Sequence, residues 1–73
     1  MHFEQCDFDG LDLAGLPLRG AQFIGCSFLG TSLDKADLGG TRWLDCRAGQ
    51  AQFRLADLTE ARFHRCDLNN TSW

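Results

Sequence analysis

The sequence predicts an all-β fold: a chain coiled as a four-sided parallel β-helix. Three observations carry that expectation. The first is a five-residue period that runs from Met1 to Trp73 without a shift of frame. Internal repeats of this kind decide a fold before local propensity does. The second is a slower period of twenty residues. Cys6, Cys26, Cys46 and Cys66 recur at that spacing, as do the aromatic residues Phe3, Phe23, Trp43 and Phe63, and the leucines Leu18, Leu38 and Leu58. The third is glycine at the fifth place of the short period, at Gly10, Gly15, Gly20, Gly25, Gly30 and Gly40, which are six of the eight glycines.

The short period sets the local geometry. Residues 51–70 read AQFRL, ADLTE, ARFHR, CDLNN: small, polar, bulky, then two mostly polar positions. All eight aromatic residues stand in the third column. The first and third columns together hold 27 of the 32 hydrophobic residues, far above the two places in five that chance allots. A helix would place apolar residues at i, i+3, i+4 and i+7. Here the first and third residues share a side, as in a pleated strand. The next two must turn a corner, and glycine at a fixed corner place implies positive φ, as in type II turns. Twenty residues are four such groups, so one coil has four sides and like stacks on like. With layers ~4.8 Å apart, between three and four coils make a rod roughly 18 Å long.

The layers differ in detail. Residues 1–20 contain Pro17, the only proline, which an outermost coil tolerates because proline gives no ladder donor. Residues 21–40 are the most regular, yet turn Ile24 and Leu29 outward. Residues 41–60 place Leu44 one layer above Ile24, and set Ala48 between Phe28 and Leu68. That small residue predicts a void or a leaning neighbour, with lost burial on the order of 2–4 kcal/mol. Residues 61–73 end at Trp73, in an inward column. Neither end shows the polar cap that repeat arrays use, and open edges invite pairing. The expectation is a homo-oligomer joined through Phe63, Leu68 and Trp73, or else a chain that belongs to a longer protein.

The 73 residues form one domain, with a net charge of −3 and no basic run, which argues against a nucleic-acid ligand. The start, MHFEQCDFDG, lacks a charged segment leading into an apolar one, and no stretch reaches the length of a membrane span. The expected location is cytoplasmic, with reduced cysteines. Cysteines twenty residues apart offer no short C-x-x-C-type pair for zinc and read as small buried hydrophobes. His2 and His64 fall at opposite ends. No nucleophile–base pair and no glycine-rich phosphate loop can be assembled, and a rod filled by side chains leaves no substrate pocket. No catalytic residue, cofactor or metal site is therefore expected, and the chain reads as not an enzyme.

What remains is the outer surface. The side built from residues 1–5, 21–25, 41–45 and 61–65 carries Glu4, Asp45, Arg42, Arg62 and Arg65, net +1. The next carries Asp7, Asp9, Arg47 and Asp67, net −2. The third carries Asp12, Asp34, Lys35 and Arg54, net zero. The fourth carries Arg19, Asp37, Asp57 and Glu60, net −2. Asp37, Asp57 and Glu60 form the best acidic stripe, to be weighed against ordinary solubility charge. Ile24 and Leu44, stacked on one outer face, with Leu29 around the corner, form a candidate apolar contact patch.

The groups ADLGG at 36–40 and ADLTE at 56–60 resemble the pentapeptide-repeat family, and the resemblance covers the whole chain. Cysteine beside alanine in the first column, with the phenylalanine-rich third column of CDFDG, CSFLG and ARFHRCDL, is most similar to the quinolone-resistance branch. That resemblance implies a right-handed coil. It also implies a DNA-mimicking, dimeric rod that binds type II topoisomerases (DNA gyrase and topoisomerase IV) and protects them from quinolones. The alternatives are a structural or protein-interaction module with another partner, or a trimmed or designed scaffold.

Overall fold

The computed structural model describes residues 1–73 throughout and contains β-strands, bridges and turns with no helix. Four strands, β1 (His2–Glu4), β2 (Gln22–Ile24), β3 (Arg42–Leu44) and β4 (Arg62–His64), form one parallel sheet in that order. Their register pairs Phe3 with Phe23, Phe23 with Trp43 and Trp43 with Phe63, so each step along the sheet is one twenty-residue period. The other sides show the same step as parallel bridges: Asp7–Ser27–Arg47–Asp67, Asp12–Ser32–Gln52–Ser72 and Pro17–Asp37–Asp57. This arrangement is consistent with a parallel β-helix. The molecule measures 24 × 22 × 17 Å, a squat block rather than an elongated rod.

Every fifth position from Gln5 to Asn70 has positive φ. Six are glycines. The other eight, with φ between 53° and 61°, include Lys35, Asp45, Leu55 and Glu60. The corner therefore demands left-handed backbone, and glycine is only its cheapest occupant. On the three sides without named strands the corner is closed by an N–H donating to the carbonyl three residues back, as from Leu11 to Phe8 (3.1 Å), Thr31 to Phe28 (3.2 Å) and Ala51 to Ala48 (3.0 Å). Leu55 is the poorest fit: a γ-branched side chain at φ 59°, with 82% of its surface in water. Leu55→Asn, which tolerates this conformation, is expected to raise stability by about 0.5–1 kcal/mol. A shift of the urea midpoint, at unchanged slope, measures it.

The inward columns build the core. Ring stacks run between layers: Phe3 on Phe23 (5.3 Å), Phe8 on Phe28 (4.8 Å), Trp43 on Phe63 (5.1 Å) and Phe53 on Trp73 (4.7 Å). Within a layer the rings meet edge to face, as Phe23 does with Phe28 at 88°, so both favoured aromatic geometries are used. Ala48 is buried, and its neighbour leans as expected. The Trp43 ring is tilted 36° to Phe23 and lies 4.7 Å from Phe28, the ring one layer from Ala48. A larger ring at 43 offsets a smaller residue at 48. The indole N–H is satisfied too, donating to Thr41 Oγ1 at 2.9 Å.

The cysteines face inward and are free thiols. The Sγ of Cys26, Cys46 and Cys66 each donates to a carbonyl one layer back, that of Phe3, Phe23 and Trp43, at 3.3, 3.2 and 3.3 Å. Burial pushes the Cys26 thiol up, and Cys46 up to about 11. Both shifts disfavour the reactive thiolate. In the native protein at pH 8, Cys6 and Cys66, which are half-buried, should react with a disulfide reagent well before Cys26 and Cys46, as read by mass spectrometry. The linkage sets the alkaline limit. Above the ordinary thiol pKa, near 8.5, the unfolded chain releases protons that the folded chain keeps, so stability declines from about pH 9 toward 11.

Pro17 sits in a bridge it does not weaken. The Asp37 row is bonded through Leu18 N–H to Asp37 O and Asp37 N–H to Leu16 O, so the proline nitrogen faces away from that row.

Candidate functional site

The outer faces hold the residues that could act on a partner, and most of their carboxylates already have work inside the chain. Asp7, Asp12, Asp37, Asp57 and Asp67 stand at second positions. Each accepts the N–H two residues ahead, from Asp9, Ala14, Gly39, Thr59 and Asn69, at 2.9–3.2 Å. This is the Asx turn, in which a short side-chain acceptor stabilises the bend, and it explains why aspartate recurs in that column. Asp9 and Asp34 reach the next layer. Asp9 accepts from the Ser27 hydroxyl and from Leu29 N–H at 2.8 Å, and Asp34 from Arg54 N–H at 2.9 Å and Nη2 at 2.8 Å. Asp45 pairs with Arg65 at 3.0 Å. No aspartate is left without a partner.

These contacts tune titration. The Ser27 hydroxyl, with Leu29 N–H, holds Asp9 below the usual carboxylate range. Arg54 does the same for Asp34, and the Thr59 hydroxyl and N–H for Asp57. A lowered folded pKa means that the stability these groups add is complete above the unfolded value, near 3.9, and is lost as pH falls through the folded one. The urea midpoint should therefore drop below about pH 4. Asp34→Asn should make that acid limb shallower.

The acidic stripe is only partly assembled. Asp37 and Asp57 do lie one above the other. However, Arg19 from the first layer spans both, with Nη2 at 3.1 Å from each. Its guanidinium lies over Gly39, where an added Cβ would collide with it. Glu60, at an exposed corner, does not join them. It borders a depression with Gly40, Arg42, Ala61 and Arg62. The sequence placed Arg19 on this face as one charge in a sum. Its length, sufficient to climb two layers, was the signal that it would bridge both carboxylates.

The candidate apolar residues lie on two sides. Ile24 and Leu44 are in register and half-buried. Leu44 lines a shallow depression of about 450 Å³ with Arg42, Trp43, Arg62, Phe63 and His64. Leu29 is round the corner in a different depression, with Gly49, Gln50, Asn69 and Asn70. Leu55, the most exposed large hydrophobic residue, was not singled out by the sequence, because it occupies a corner place that the glycine pattern had marked as polar. At the open end Phe63 and Leu68 are half-buried and Trp73 is 59% exposed.

Chemically the faces offer recognition groups: rows of carboxylates, an arginine pair and half-buried aliphatic side chains. No three His, Cys, Asp or Glu side chains converge as a metal site would require, and no helix is long and apolar enough to cross a membrane. No curated protein matches the chain. The sequence profile of the pentapeptide repeat region matches residues 1–73, the same span as the five-residue period, and the chain belongs to that family.

Proposed function

We propose that the chain is a non-enzymatic protein-interaction module, in which a rigid stacked core displays side chains in rows one layer apart. The observation that supports this reading is the unbroken register on all four sides, which holds outward residues in fixed files. We take the coil to be right-handed, the hand of nearly all parallel β connections, with three full turns and part of a fourth, and the setting to be cytoplasmic. A photo-crosslinking residue placed on each side in turn tests the function. Capture of one partner from a single side supports it; equal, unsaturable capture from all sides removes it.

A narrower reading is a DNA-mimicking rod that occupies DNA gyrase or topoisomerase IV and protects against quinolones. The aligned Asp37 and Asp57 favour it, but Arg19 offsets the field that steering into a basic groove requires. A supercoiling assay with gyrase and a quinolone decides it: no protection at tenfold molar excess rules it out. Self-association through Phe63, Leu68 and Trp73 is part of the same proposal, and sedimentation across a concentration series tests it.

A further inference from the structure

The side that carries β1–β4 holds an arrangement found on no other side. Arg42 and Arg62 are direct register partners on adjacent parallel strands, and both are exposed. Like charges directly opposite one another destabilise a sheet. Three other arginines are paired, Arg19 with Asp37 and Asp57, Arg54 with Asp34, and Arg65 with Asp45 on this same side. Arg47 and Lys35 lack an ion pair, but neither has a cation as its register partner. Arg42 and Arg62 have no carboxylate at ion-pair distance. Glu60 borders the same depression without closing a bridge. Next to the two guanidinium groups runs the Ile24–Leu44 file, on the same strands, with His64 above Leu44.

Resting on the interaction-module reading, we propose that this side is a docking surface for an extended acidic–aliphatic peptide segment. One carboxylate seats between Arg42 and Arg62, and an aliphatic side chain two residues along covers Ile24 and Leu44. Charge complementarity selects the occupant. Two stacked guanidinium groups fit a carboxylate, which accepts from both at once, and binding it relieves their mutual repulsion. The apolar file lies at the fourth position and the arginines at the second, so a strand with an acidic residue at i and an aliphatic one at i+2 matches both on one face. A nucleic acid suits the site poorly. Its string of phosphates would meet a molecule whose net charge is −3, and the aliphatic file would go unused.

Fluorescence anisotropy on the full chain tests this, with a fluorescein-labelled (Glu-Ser-Leu-Ser)2 peptide as probe and (Glu-Ser-Ser-Ser)2, (Lys-Ser-Leu-Ser)2 and oligo-dT as comparisons. The expected result is saturable binding of (Glu-Ser-Leu-Ser)2, at least tenfold tighter than any comparison. Arg42→Gln/Arg62→Gln should weaken it at least tenfold, and Leu44→Ser severalfold. Glu60→Gln should tighten it, because a competing carboxylate is removed. Lys35→Gln, on a side away from this face, should leave it unchanged. Equal binding of (Glu-Ser-Ser-Ser)2, tighter binding of oligo-dT, or an unaffected arginine double variant would each overturn the proposal. So would no binding of (Glu-Ser-Leu-Ser)2 at all, while the broader reading would still stand on its crosslinking test. Far-ultraviolet circular dichroism of each variant separates lost binding from lost folding.

Discussion

Trp43→Ala is expected to lower stability by about 3–5 kcal/mol, the largest effect of any single core truncation in this chain. A folded chain of this length has only about 4–11 kcal/mol in total, so the substitution removes a large share of it. The reason is position as well as size. The indole centroid is 4.5 Å from Phe23, 4.7 Å from Phe28, 5.1 Å from Phe63 and 6.0 Å from Phe53, so one side chain joins the rings of three layers. Its removal opens a hole bordered by stacked rings held to rigid strands, which cannot collapse into it. Urea unfolding followed by circular dichroism measures the loss. Pairing with position 48 supplies a sharper test. Ala48→Leu alone should crowd the tilted indole and cost about 1–3 kcal/mol. In a Trp43→Phe background the same change should be close to neutral, because the two places are then filled as in the layer above, by Phe63 and Leu68. Additive costs in that cycle would show that Trp43 does not compensate for Ala48.

The inward half of the molecule was readable before any coordinates, and the outward half was not, for a physical reason. Burial enforces a period: a single shift at Phe23 or Cys46 would turn the column toward water, so the core columns repeat strictly. The outward columns answer only to local geometry. Aspartate at the second position serves its own turn, as at Asp57 with Thr59, which the five-residue frame contains but does not explain. The reach of Arg19 to Asp57, 38 residues away in sequence, depends on side-chain length and on Gly39 leaving room, and neither enters a column count. The corner between Ile24 and Leu29 was legible from the five-residue frame, but the separate depression that Leu29 lines was not. Glycine marked the corners correctly and still misdescribed them: Leu55 and Glu60 show that the backbone conformation, not the residue, is what recurs.

Proline carries the second large prediction. Asp37→Pro is expected to cost at least about 3 kcal/mol, although Pro17 occupies the equivalent place one layer earlier. Parallel bridges use alternate residues, so the outcome depends on which way the nitrogen points. At Pro17 the bonds to the next layer are made by Leu16 O and Leu18 N, and the missing N–H faces away from it. At Asp37 the N–H is itself the donor to Leu16 O, at 3.0 Å. Proline there deletes that bond and sets its ring against the layer beneath. It also removes the carboxylate that accepts Gly39 N–H and pairs with Arg19. Asp37→Asn separates these contributions. It keeps the backbone bond and an acceptor for the turn and gives up only a solvent-exposed ion pair, whose loss is small. The two variants should therefore differ widely in urea midpoint. Amide exchange should show the Leu18 N–H, which donates to Asp37 O across the same seam, losing protection in Asp37→Pro but not in Asp37→Asn. Equal midpoints for the two would mean that this side is held by its side chains and turns rather than by its backbone ladder.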